Sequence, residues 1–164
     1  MTVATDQGLC ATIDSPIGKL LLLGDGRALS GLYMQEGRKP GTVPPGCEHE
    51  PDAFAAVRTQ LDEYFAGVRT SFDLQLEPVG SPFQLRIWRA LQGVGYGETL
   101  SYGELARRIG HPGAARAVGA ANGANPLSIV IPCHRLVGSN GALTGYGGGI
   151  ARKRLLLDLE TGAQ

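Results

Sequence analysis

The 164-residue chain has few cysteines, few aromatic residues and no long apolar run, and its formal charge sums to zero. Its three cysteines, Cys10, Cys47 and Cys133, are scattered, which excludes the small secreted scaffolds that depend on a disulfide framework. No apolar stretch reaches membrane-spanning length, so no membrane segment is expected. The opening MTVATDQGLC lacks a basic segment followed by an apolar one. No secretory signal is therefore expected, and the cytoplasm is the simplest compartment. Cys10, Cys47 and His49 have no paired metal-ligand spacing, so neither a metal nor any other cofactor is expected.

What is present is unevenly distributed. Residues 1–80 carry six Lys/Arg against eleven Asp/Glu, a balance of −5, whereas residues 81–164 carry nine against four, a balance of +5. Such asymmetry points to a polyanion that meets the second half only. The 25 glycines also favour that half, where tight turns are expected.

The first third reads as a small sheet. Segments 9–13 and 19–23 flank the turn Ser15-Pro16-Ile17-Gly18, and Asp25-Gly26 turns the chain into a third strand over 28–35. Residues 37–51, rich in Gly and Pro, read as a surface loop. Phe54, Val57, Leu61 and Phe65 recur at helical spacing up to Gly67, and the alternation of Phe72, Leu74 and Leu76 predicts a further strand over 70–76. A boundary is expected at 77–80, giving one domain over 1–77 and a second over 81–164.

The second domain opens with Ser81-Pro82-Phe83-Gln84, a capping box with proline at the first helical position, followed by the apolar stripe Phe83, Ile87 and Leu91. Ser101-Tyr102-Gly103-Glu104 is a second capping box for a helix running to about Ile109. After the break Gly110-His111-Pro112-Gly113, residues 114–123 form another helix, made almost wholly of small residues except Arg116. Helix, tight turn and helix read as a helix-turn-helix. Ala117, Gly119, Ala120 and Ala121 either let the backbone lie against a minor groove or pack on another helix; both readings stand.

Ile129–Val130–Ile131 reads as a buried strand that Pro132 brings to a turn, leaving Cys133, His134 and Arg135 on a rigid, electropositive corner. Those surroundings favour a reactive thiolate, although a buried thiol packing as a small apolar group is the simpler alternative. Beyond it lie the turn Gly138-Ser139-Asn140-Gly141, the sterically open loop Thr144–Gly149, and a last helix over about 150–160. Arg152, Lys153 and Arg154 stand in the first turn of that helix, against its dipole.

From Ser81 onward, the order and spacing of these residues resemble the catalytic domain of the O6-alkylguanine-DNA alkyltransferases, single-use DNA repair methyltransferases with a Pro-Cys-His-Arg motif. The first third is compatible with that family's small ribonuclease-H-like domain. The resemblance implies an α/β (α+β) fold, with a sheet-and-helix N-terminal domain and a mostly helical C-terminal domain containing the helix-turn-helix. It implies Cys133 as nucleophile and alkyl acceptor, His134 as general base through a water molecule, and Glu160 as the group that fixes the imidazole tautomer. Tyr102, the backbone N–H of Gly147, and Lys153 assisting Tyr102 would stabilise charge on the departing guanine. Position 147 is serine in some family members, and a backbone donor survives that change.

The resemblance further implies that Arg116 fills the gap left by a flipped base, with Ala115, Gly119, Asn122 and Arg135 at the DNA. Asn125 would be a hinge, Tyr146 a pocket wall, and the carbonyls of Cys133 and Leu136 acceptors from the guanine amine. The implied partner is double-stranded DNA carrying O6-alkylguanine, met by a protein that is monomeric in solution, with cooperative binding on DNA left open. Two other classes remain to be separated from this one. A cysteine hydrolase would turn over repeatedly, and a non-catalytic helix-turn-helix lesion sensor would bind without transferring anything.

Overall fold

The structure is a computed structural model that describes residues 8–162. Its N-terminal sheet has the order β3-β2-β1-β4. Strands β1 (Leu9–Ile13), β2 (Leu20–Gly24) and β3 (Leu29–Met34) form an antiparallel meander in which Ile13 faces Leu20, and Leu20 faces Met34. The first turn is closed by Ser15, whose Oγ donates to the Gly18 carbonyl at 2.6 Å and accepts from the Ile17 N–H at 3.2 Å. The second is closed by Asp25, whose Oδ1 accepts from the N–H groups of Arg27 and Ala28. Leu20, Leu21 and Leu22 are all buried, so both faces of the middle strand are covered.

The 37–51 loop is less irregular than its composition predicts. Glu48–His49 forms a short strand, β4, parallel to β1, and this pairing brings Cys47 Sγ to 2.8 Å from Cys10 Sγ. His49, opposite Cys10 in the register, is exposed. Residues 70–76 do not form the predicted strand. Only Leu76 bridges to Leu29, although Phe72, Leu74 and Leu76 keep one half-buried face. Alternation here records burial without a hydrogen-bonded ladder.

Helix α1 (Ala55–Phe65) lays Val57, Leu61 and Tyr64 into the core. Phe65, expected on the buried stripe, is only half-buried, and Tyr64 takes the inner place. In the C-terminal half, α2 (Pro82–Leu91) starts with the predicted capping box, Ser81 Oγ accepting from the Gln84 N–H and Gln84 Oε1 accepting from the Ser81 N–H. Its buried Trp88 donates from Nε1 to the Ala121 carbonyl at 2.8 Å.

Helices α3 (Tyr102–Arg108) and α4 (Ala115–Gly123) form the helix-turn-helix. Ser101 caps α3 by accepting from the Glu104 N–H, but the Glu104 carboxylate turns to Arg107 rather than completing a capping box. Short strands β5 (Leu100–Ser101) and β6 (Leu136–Val137) pair in parallel and tie the start of α3 to the segment after Cys133. Helix α5 (Ile150–Thr161) ends at Gly162, whose φ of 76° supplies the left-handed cap. Buried apolar residues of both halves, from Ala11 to Leu156, join one core. Among the described residues no helix is long and apolar enough to cross a membrane.

The predicted strand over 129–131 is instead a buried turn. Leu127 bridges to Leu32 and there the pairing stops. The chain coils back, with the Ile131 N–H donating to the Leu127 carbonyl at 2.9 Å and Ile129 held at φ 72°. That left-handed conformation is costly for a β-branched residue and persists only where the surroundings impose it. Asn125 braces the turn on either side of it. Its Nδ2 donates to the Ile131 carbonyl at 2.8 Å and to the Leu127 carbonyl at 3.4 Å, while its Oδ1 accepts from the Leu127 N–H at 3.0 Å.

Candidate active site

Cys133 opens a single 3-10 turn, Cys133–Arg135, directly after this strained segment. The side chain is nearly enclosed, 5% exposed, and faces the Asn125 amide and the Tyr146 hydroxyl. It borders a cavity of about 320 Å³, within the range of small-ligand sites. Asn122, Asn125, Tyr146 and Gly147 line the same cavity, and the N-terminal domain adds Tyr33 and Lys39. The Lys39 N–H donates to the Gly147 carbonyl at 3.0 Å, so the first domain helps to hold the glycine loop.

The enclosure of Cys133 works against the thiolate that its sequence neighbours favour. Burial pushes the Cys133 thiol above its ordinary value, more than Asn125, the Lys153 charge and Tyr146 together pull it down. An enclosed sulfur without a direct cationic partner favours the protonated thiol.

His134, the next residue, points away from the cavity into the protein and is wholly buried. Its Nε2 lies 2.7 Å from Glu160 Oε2, so the carboxylate fixes the proton on Nε2. The other nitrogen, Nδ1, is buried without a protein hydrogen-bond partner. Burial lowers the tendency of the ring to be charged, and the Glu160 carboxylate partly restores it. Glu160 is enclosed but ionised. Burial pushes its carboxyl up, yet hydrogen bonds from His134, Arg135 and Tyr64 hold it at about 2.

Two residues expected at the DNA lie in the interior. Arg135 is buried, donating from Nε to Glu160 Oε1 at 2.8 Å, from Nη2 to Oε2 at 2.9 Å and from Nη1 to the Val94 carbonyl at 2.7 Å. The buried carboxylate claims the guanidinium that a phosphate would otherwise take. Asn122 is also buried, its Nδ2 donating to the Cys133 carbonyl at 3.2 Å, which turns it toward the cavity. Leu136 is fully buried on β6. On the outer face of α4, Arg116, Ala117 and Ala120 are exposed, with Ala115 and Gly119 half-buried beside them. A Cβ at Gly119 would lie 3.8 Å from the Tyr102 ring, which places that ring beneath α4.

Lys153 reaches Tyr102 over the ring face, with Nζ 6.0 Å from the centroid, and donates to the Thr144 carbonyl at 2.8 Å. The Tyr102 hydroxyl is held by Thr144 Oγ1 at 3.1 Å. The cations at the start of α5 thus have separate tasks. Arg152 anchors the helix to the first domain through the Ile17 carbonyl, Lys153 turns inward and Arg154 stays exposed.

Sequence reading missed Tyr64, whose hydroxyl donates to Glu160 Oε2 at 2.6 Å from the other domain. It also missed Tyr33 and Lys39 at the cavity. No local pattern marks them, since their partners lie far along the chain.

A helix-turn-helix followed by a cavity-bordering cysteine and a buried His–Glu pair defines the class: a DNA-binding protein with a cysteine set into a small cavity. Comparison with known proteins agrees. Residues 9–78 match the family model of the ribonuclease-like domain of 6-O-methylguanine DNA methyltransferase, and residues 82–162 match the model of its DNA binding domain. The methylated-DNA–protein-cysteine methyltransferase of Mycobacterium tuberculosis H37Rv is 55% identical over 152 residues, covering 91% of this chain and 90% of its own. The protein of the same description from Methanosarcina acetivorans is 47% identical over 150 residues, covering 92% and 96%. The crystal structure of Mycobacterium tuberculosis OGT in complex with DNA superposes with a TM-score of 0.88 at 54% identity, over 93% of this chain and 92% of that one. The chain belongs to the 6-O-methylguanine DNA methyltransferase family.

Proposed function

We propose that the protein repairs DNA by moving the alkyl group of O6-alkylguanine, and of O4-alkylthymine, onto Cys133. Residues 1–77 act as the ribonuclease-H-like support, and residues 81–164 bind double-stranded DNA and carry the acceptor. The observation that carries this reading is the pairing of buried His134 with Glu160 through Nε2, one residue along from a Cys133 that borders a cavity next to α4. Arg116, exposed on that helix, fills the space of a base turned out through the minor groove, and Ala115 and Gly119 let the backbone approach.

The chemistry follows from the geometry. His134 Nδ1 takes the Cys133 proton through one water molecule, while Glu160 holds the opposite nitrogen. Cys133 Sγ forms a bond to the alkyl carbon, the carbon–O6 bond breaks, and its electron pair stays on the guanine, which gains one proton. The Tyr102 hydroxyl and the Gly147 N–H meet the developing charge, with Lys153 adding positive potential over the Tyr102 ring. Tyr146 walls the pocket, and the carbonyls of Cys133 and Leu136 receive the guanine amine. A thioether has no hydrolysable bond, so each protein molecule acts once. The protein works as a monomer in a reducing cytoplasm, which keeps a single-use thiol intact.

The test is to mix the protein with duplex DNA bearing one O6-methylguanine and to weigh the peptide containing Cys133. A gain of one methylene that saturates at one per protein, and is absent in Cys133→Ser, is expected. No gain in a folded protein overturns the proposal.

A further inference from the structure

Glu160 is served by more donors than a tautomer-fixing carboxylate needs, and one of them comes from outside the catalytic domain. Oε1 accepts from Arg135 Nε at 2.8 Å and from the Gly97 N–H at 3.3 Å. Oε2 accepts from His134 Nε2 at 2.7 Å, Arg135 Nη2 at 2.9 Å and the Tyr64 hydroxyl at 2.6 Å. Tyr64 lies on α1, 96 residues from Glu160 along the chain, and is 0% exposed. Its ring is edge-packed between Phe65 and Tyr96 and touches Phe72, so neighbours on more than one segment hold the hydroxyl in place. An aromatic that only filled the core could be phenylalanine. A buried hydroxyl spent on an already paired carboxylate points to a task.

We propose that Tyr64 is a positioning residue for alkyl transfer, holding Glu160 so that the carboxylate orients His134 without drawing its proton away from Nε2. This rests on the catalytic reading of Cys133, His134 and Glu160 given above. Three donors on Oε2 fix the direction of the lone pair that faces the imidazole. They also divide the carboxylate charge, so the imidazolium formed when His134 takes the thiol proton is held less tightly and can release it again. The Tyr64 phenol stays protonated, because burial, the Glu160 charge and the hydrogen bond to it all push its ionisation up. By this contact the first domain takes part in the chemistry performed in the second.

The groups facing His134 are few. Glu160 and Lys153 approach from α5, with Arg135 and Cys133 beside it in the 3-10 turn. Tyr64 from α1 and Tyr96 from the loop after α2 act on it through Glu160, and Tyr146 closes the side toward the sulfur. Of these, only Tyr64 can lose its hydrogen bond to Glu160 by deletion of a single oxygen.

The experiment compares the full chain with Tyr64→Phe, both labelled with 15N-histidine. The chain has three histidines, so His134 is assigned with His49→Gln and His111→Gln. With one donor fewer on Oε2, the carboxylate holds the imidazolium more tightly, and the His134 midpoint should rise by about half a pH unit or more. Single-turnover methyl transfer to Cys133 at the pH plateau should slow about tenfold, the size expected for a hydrogen bond to a charged group. DNA affinity should not change. Unchanged midpoint and rate overturn the proposal. So does a slower rate with an unmoved midpoint, which assigns Tyr64 to packing, and so does a moved midpoint at full rate. Should Tyr64→Phe fail to fold, site-specific 3-fluorotyrosine at 64 replaces it. Its stronger donor must shift the His134 midpoint downward, and no downward shift overturns the proposal. Failure of the underlying reading is separate, since it shows in the unsubstituted protein as no methyl uptake by the folded chain, or as uptake that survives Cys133→Ser.

Discussion

Arg135 and Glu160 meet as a two-point ion pair inside the protein, Nε to Oε1 at 2.8 Å and Nη2 to Oε2 at 2.9 Å, with their side chains 8% and 0% exposed. A planar guanidinium matches a carboxylate in this way, and an ammonium cannot. The pair joins the residue after His134 to the end of α5. The arginine of the Pro-Cys-His-Arg motif is therefore a structural partner of the buried Glu160 carboxylate.

Arg135→Ala should cost about 3–5 kcal/mol in urea unfolding, because Glu160 is left buried with too few donors. Arg135→Lys should recover only part of it. DNA affinity of whatever remains folded, and its salt dependence, should match the parent. A reduced salt slope with full stability would place Arg135 at a phosphate instead.

Stability should fall with acid in two stages. The burial that depresses His134 means the unfolded chain binds that proton first, so stability is complete above the ordinary histidine value of 6.5 and is lost as pH drops through it. Glu160, held at about 2 against an ordinary 4.5, contributes stability that is present above 4.5 and disappears as pH falls toward 2. Denaturant midpoints measured from pH 8 to pH 2 should show both. Glu160→Gln should be less stable at neutral pH and should flatten the lower stage.

Asn125→Ala should remove about 2–4 kcal/mol, since it strands the buried Leu127 N–H and Ile131 carbonyl and releases the turn that keeps Ile129 at φ 72°. Methyl transfer should fall further than binding to DNA, because the same turn aims Cys133. Urea unfolding alongside single-turnover kinetics checks this.

Arg116→Ala should slow repair in duplex DNA by an order of magnitude or more while leaving reaction with the free O6-alkylated base nearly unchanged. Arg116 is exposed on α4, so stability should stay within about 0.5 kcal/mol. Equal losses on both substrates would remove the gap-filling role.

The parts of the fold that local chemistry dictates were legible in the residues. Ser81 and Gln84 announced α2, Asp25 and Gly26 a turn, and Pro132 the tight turn at Cys133–Arg135. What was hidden depends on distant partners. Ile129, Val130 and Ile131 look the same in a buried strand and in a buried turn, because branching reports burial and says nothing of which carbonyls the chain meets. Arg135 read as a surface cation because its carboxylate is 25 residues away. Tyr64 sat one place off the apolar stripe predicted for its helix, and only the packing of two domains gives its hydroxyl a partner. The enclosure of Cys133 was hidden for the same reason, since Asn125 and Tyr146, which face its sulfur, are placed by the fold.

The indole of Trp88, the chain's single tryptophan, is fastened to the Ala121 carbonyl on the helix offered to DNA. A tilt of that helix relative to α2 would change the indole's surroundings. Intrinsic emission would then report the seating of the protein on DNA in real time, with no dye attached and no second fluorophore of its kind to confuse the signal.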